Sequence, residues 1–110
     1  MSEIRTLKLQ RYDDLVALCP RFERKGKTMP YTSANGHMFS LFNKSNEVGI
    51  RFSKDIQERY ITTFKTSIYK SYNAVMRGYI LITDDMLKDT DLIVRLLNES
   101  YDYVMSLDPK

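Results

Sequence analysis

Residues 25–52 read KGKTMPYTSANGHMFSLFNKSNEVGIRF, and the reading of this stretch decides the fold. It predicts three short strands joined by two tight turns. Asn35-Gly36 places the first turn, because a primed hairpin turn needs φ > 0 at both central residues and Asn-Gly tolerates that best. Lys44-Ser45-Asn46 places the second. After it, Val48, Ile50 and Phe52 alternate with Gly49 and Arg51, the period of a strand with one buried face.

Working outward, residues 3–18 predict a helix ended before Pro20, with Ile4, Leu7, Leu15 and Leu18 roughly in phase and Arg11 interrupting the stripe. Residues 21–31 read as the first strand. Their polar side chains, and a proline at position 30 that lacks an amide donor, suit a sheet edge. Within 37–42, Phe39 and Leu41 are expected on one face and Met38 and Phe42 on the other. Ser53 is a good N-cap for a helix over 54–64, whose Ile56, Tyr60 and Phe64 fall at i, i+4, i+8. Residues 67–72 are a weak strand. Residues 74–82 are a strong one, with Gly78, Ile80 and Ile82 on one face and Val75, Tyr79 and Leu81 on the other. Thr83 and Asp84-Asp85 open a short helical turn. Thr90 with Asp91 is expected to cap the last helix, which turns Ile93, Leu97, Ser100, Tyr101 and Val104 inward. The fold class is therefore α+β, an antiparallel sheet in the order α-β-β-β-α-β-β-α, forming one domain over residues 1–110.

Composition limits the function classes. With 43% hydrophobic and 28% charged residues the chain has ordinary globular values, which argues against disorder. No apolar run approaches the ~20 residues of a membrane span. The opening MSEIRTLKLQR has no hydrophobic core of a signal peptide. The single Cys19, beside Leu15, Val16 and Leu18, reads as a small buried hydrophobe. A cytoplasmic location is expected. Net charge is uneven: residues 1–80 carry 14 Lys/Arg against 7 Asp/Glu, and residues 81–110 carry 3 against 7. A basic body and an acidic C-terminal element can complement one another within one chain or between two.

Enzyme chemistry is poorly supplied. His37 is the only histidine, at a strand start beside a turn, with no orienting partner evident. One His and one Cys do not make a metal site, and the acids Asp84, Asp85, Asp89 and Asp91 read as helix N-terminal residues. Gly36, Gly49 and Gly78 are isolated, so no phosphate loop is present. Neither catalysis nor a cofactor is expected. Arg21, Arg24, Lys25 and Lys27, near Phe22 and Tyr31, form a basic patch that offers an alternative function, nucleic-acid binding. A solvated edge strand using charge against aggregation accounts for it as well. Apolar residues on both faces of 37–42 and 74–82 point instead to a protein partner covering one sheet face, and self-association into a homodimer is expected, with another protein as the other occupant. Met38, Phe42, Tyr79 and Leu81 are the expected anchors, with Arg77 setting orientation.

Several short motifs, taken in order, carry a family resemblance. They are Arg24-Lys25-Gly26-Lys27-Thr28-Met29, Asn35-Gly36-His37-Met38-Phe39, Val48-Gly49-Ile50-Arg51-Phe52, Met76-Arg77-Gly78-Tyr79-Ile80 and Glu99-Ser100-Tyr101-Asp102-Tyr103-Val104. From Tyr12 to Leu107 the chain resembles the TfoX (Sxy) N-terminal domain family, bacterial competence regulators. The resemblance implies a secretion-chaperone-like α-β(3)-α-β(2)-α fold, no known catalytic residues, and a stand-alone member without the family's C-terminal helical domain. Where the family commonly has Met-Phe-Gly-Gly, this chain has Met29-Pro30-Tyr31-Thr32, so no role of that glycine pair is carried across. The Ser-Tyr-Asp ending also resembles the YjbR/MmcQ proteins, which implies a DNA-binding surface built from short hairpins.

Overall fold

Two tight hairpins and one crossover helix set the order of the strands. The structure, a computed structural model, describes residues 3–110. Helix α1 (Glu3–Ala17) leads to strands β1 (Tyr31–Ala34), β2 (His37–Phe42) and β3 (Val48–Arg51). Helix α2 (Lys54–Thr63) carries the chain across to β4 (Ile68–Ser71) and β5 (Ala74–Ile82), and the short α3 (Asp84–Leu87) precedes α4 (Thr90–Met105). All pairings are antiparallel and the sheet runs β1-β2-β3-β5-β4, an α+β architecture. Because α2 delivers β4 to the far edge, the long β5 folds back between β4 and β3.

The turns follow backbone chemistry. Asn35 and Gly36 have φ of 57° and 80°, the two left-handed residues the first hairpin requires. Tyr72 and Asn73 do the same for the β4–β5 hairpin with φ of 54° and 62°, although only the asparagine is a residue type suited to it. Between β2 and β3, the Asn43 side chain accepts from the backbone N–H of Ser45 (3.0 Å) and Glu47 (2.9 Å) and so organises the loop.

Every helix packs on one face of the sheet. Tyr12, Leu15 and Val16 of α1, Met86 and Leu87 of α3, and Ile93, Leu96 and Leu97 of α4 meet Phe42, Val48, Ile50, Phe52, Ile80 and Ile82 there. Ile56, Tyr60 and Phe64, the stripe expected on the second helix, join this core at its edge. Ser53 caps α2, accepting from Ile56 N–H at 3.3 Å. Each fully buried side chain of this size contributes about 1.5–3 kcal/mol, so this layer holds the fold together.

Four local expectations are corrected. The first strand is Tyr31–Ala34 and not 21–31; of the earlier residues, Lys25 forms an isolated bridge to Tyr31 and the Pro30 carbonyl accepts from Phe42 N–H at 2.9 Å. Pro30 has no N–H to continue a ladder, and Gly26, at φ 85°, turns the chain away. In α1 the inward residues are Tyr12, Leu15 and Val16, while Ile4, Leu7 and Leu18 are exposed. Arg11 lies at a seam and does not break the stripe: its Nε donates to the Leu87 carbonyl (2.8 Å) and its Nη2 to Thr90 Oγ1 (3.0 Å). The N-cap of α4 is Asp89, which accepts from Leu92 N–H at 3.1 Å, leaving Thr90 inside the helix. Finally, Phe39 shares a face with Phe42, for a reason given below.

Candidate protein-docking site

The helix-free face of the sheet has its own apolar cluster. Leu41, Tyr69 and Tyr79 are buried in it, packed against half-buried Met29, Tyr31, Met38, Met76 and Leu81. No described helix residue takes part in it. Two bulges assemble this surface. In β2 the register against β1 shifts, Thr32 facing Ser40 and Ser33 facing Met38, so Phe39 is the extra residue. One inserted residue reverses which side chains share a face. Met38 therefore joins Leu41 on the open side. Phe39 turns toward the helices, where its ring meets Phe22 and Tyr101 at 5.0 and 6.0 Å. In β5, Gly78 has φ 84° and the pairing with β4 jumps from Ile68–Ile80 to Lys70–Val75. Met76 and Tyr79, three residues apart, consequently lie on the same open face.

Two tyrosines floor this face. Their rings stack with centroids 6.0 Å apart and planes 27° from parallel. The Tyr69 hydroxyl donates to the Leu41 (3.2 Å) and Glu47 (2.9 Å) carbonyls, and the Tyr79 hydroxyl donates to the Met38 carbonyl (2.8 Å). Gly49 makes the arrangement possible, since any Cβ there would enter the Tyr69 ring. Burial pushes both phenols well above the usual tyrosine range, with the Glu47 carboxylate adding to the effect at Tyr69. Above the floor, Met29, Tyr31, Met38, Leu41, Ser71, Tyr72 and Met76 line an open groove of about 400 Å³. Three of the chain's six methionines are in it. Tyr72 stands at the mouth, 67% exposed, with Lys44 Nζ 5.0 Å from its ring centroid.

The expected anchors fare differently. Met38 and Leu81 lie half-buried on the open face, and Tyr79 is part of its floor. Phe42 is fully buried on the helix side, its ring 6.1 Å from that of Tyr12, and leaves the set. Arg77 also leaves it: the bulge puts its side chain with Val75, Lys54 and Gln57 beside α2. Sequence reasoning missed Met29, Tyr31 and Met76, and it read Tyr69 and Tyr72 only as general core and interface packing. The spacing Met76-x-Gly78-Tyr79 held the one legible signal, an isolated glycine within a strand pattern.

The basic patch is exposed, but its two arginines are already paired within the chain. Arg21 Nη1 donates to Asp102 at 2.8 Å, and its guanidinium sits 4.5 Å from the Tyr101 ring centroid. Arg24 grips both oxygens of Asp13, at 2.9 and 3.1 Å. Lys25 Nζ reaches Ser33 Oγ at 3.4 Å, while Lys27 lies in the loop leading to Met29. The complement between basic body and acidic C-terminal element is thus made within the chain, with Lys8–Asp84 (3.2 Å) as a further link.

The Glu99–Val104 motif has a structural role at each position. Glu99 accepts from the Tyr60 hydroxyl (2.7 Å), and the buried Ser100 hydroxyl donates to the carbonyls of Phe39 and Arg51. Tyr101 stacks on Phe22, Asp102 takes Arg21, and the Tyr103 ring lies under Arg51. His37 Nε2 lies 2.8 Å from the Asp108 carbonyl, against the chain's final residues. Cys19 is buried, and desolvation pushes its thiol up. Among the described residues no group of three or more His, Cys, Asp or Glu is placed to hold a metal, and no helix is long and apolar enough to cross a membrane.

Compared with protein-family models and with curated proteins, the chain matches none.

Proposed function

We propose that this chain is a non-enzymatic protein-binding module of the TfoX N-terminal type, acting in the bacterial cytoplasm through the helix-free face of its sheet. One observation carries the reading: the groove over the tyrosine floor is apolar, open and rich in methionine, whose flexible thioether side chains adapt to varied partner side chains. The sequence motifs support the family assignment, and the α+β class of the chain, with its antiparallel sheet, is in keeping with the fold that the resemblance implies. A second copy of the chain is the alternative occupant of this face.

Nucleic acid is the weaker occupant. Arg21 and Arg24 would have to exchange Asp102 and Asp13 for phosphate, and the groove offers bases almost no hydrogen-bonding group. Photo-methionine incorporation in living cells tests the reading. Crosslinks to another protein at positions 29, 38 and 76, lost in Met76→Glu, are expected. Crosslinks confined to Met86 or Met105, or none at all, would overturn it.

A further inference from the structure

Resting on that protein-binding reading, we propose that the occupant of the groove is an acidic amphipathic helix. Three observations combine. The first is the lining: apart from Ser71, every residue around the groove presents a methionine, leucine or tyrosine side chain. The floor hydroxyls of Tyr69 and Tyr79 are already committed to the Leu41, Glu47 and Met38 carbonyls. A segment lying here finds no partner for its own backbone N–H and C=O groups and must satisfy them internally, which a helix does and an extended strand does not.

The second is the state of the sheet edges, the alternative place for an extended segment. Both edge strands are four residues long. The outer edge of β1 already exchanges hydrogen bonds with Lys25 (2.7 and 3.0 Å), and the Lys70 carbonyl of β4 accepts from Asn43 Nδ2 at 2.9 Å. Strand addition is obstructed on both sides, which leaves the face.

The third is charge. Of the cations in the sheet layer, Lys44 stands at the groove mouth and Lys27 in the loop leading to Met29, while Arg77 lies beside α2, Arg51 over the Tyr103 ring and Lys25 against Ser33. Lys44 is poised at the groove mouth over Tyr72. A helix with aliphatic anchors at i, i+3 or i+4 and i+7, with Asp and Glu placed to meet Lys44 and Lys27, matches the apolar lining and these two lysines together.

Two model peptides of about 18 residues test this, sharing one leucine face and differing only in Glu or Lys on the polar face. Binding is followed through the 13C-methyl signals of Met29, Met38 and Met76, with Met86 as an internal control in the opposite core. The Glu peptide is expected to bind at least ~10-fold tighter than the Lys peptide at low salt, with the gap closing as salt rises. Met76→Glu should abolish the shifts and leave Met86 unchanged. Equal binding of both peptides at these methyls would overturn the acidic-partner inference while leaving the protein-binding reading intact. Concentration-dependent shifts without peptide, with a dimer in sedimentation, would make a second copy the occupant and overturn the inference alone. Groove shifts with a single-stranded oligonucleotide and neither peptide would overturn both.

Discussion

The two faces of the sheet solve one problem in different ways. Toward the helices, β-branched and aromatic side chains (Val48, Ile50, Ile80, Ile82, Phe42) interdigitate with four helices and are almost fully buried. Toward the open side, two tyrosines lie across the strands and tie their hydroxyls to backbone carbonyls, closing the sheet with a single layer of side chains. The first face is built for stability. The second ties its own hydroxyls to backbone carbonyls and is fringed by half-buried methionines, leaving a groove above it.

Alkaline pH should expose this difference most. Tyr12, Tyr69 and Tyr79 ionise at about 10 when unfolded, and burial raises each of them in the folded chain. The unfolded chain then loses protons first, so stability is complete below pH 10 and falls as pH rises above it. Each of the three removes up to about 1.4 kcal/mol per pH unit. Tyr69→Phe and Tyr79→Phe should each flatten the decline, measured by urea unfolding between pH 9 and about 12. An unchanged slope in both would mean that the floor is open to water.

Next in size is Ile80→Ala on the helix face, expected to cost about 2–5 kcal/mol by denaturant midpoint because the packed layers cannot collapse into the space. Gly49→Ala should cost about 1–3 kcal/mol, since the new methyl must lift the Tyr69 ring. Its telltale is a changed near-ultraviolet tyrosine signal with the helices intact. A neutral Gly49→Ala would show that the floor is not held tightly. The smallest effect belongs to Tyr72→Ala at the groove mouth, within about 0.5 kcal/mol in stability, although the same change should weaken docking of the acidic helix.

How far the sequence reaches can be seen residue by residue. Asn35-Gly36, Ser53 and the alternation of Val48, Ile50 and Phe52 are local signals, each set by the chain's own φ/ψ preferences or by side chains within a turn of one another. Together with the stripes of α2 and α4 they determined the α+β class and nearly every element. The open face was legible only in outline. The notion that one sheet face lacks a helical cover follows from apolar residues on both sides of β2 and β5, yet strict alternation put Phe42 on the wrong side and hid Met76.

Alternation, caps and turn residues were thus written in the chain itself, because they depend on contacts a few residues apart. Which side chains meet on the open face was decided by the tertiary structure. Each bulge reverses the facing of every residue beyond it, and whether the β2 strand takes one at Phe39 depends on Phe22 and Tyr101, the latter more than sixty positions away. Tyr69 likewise lies flat because a strand distant in sequence offers Gly49 beneath its ring and carbonyls for its hydroxyl. Those are properties of strands brought together, and no single strand carries them alone.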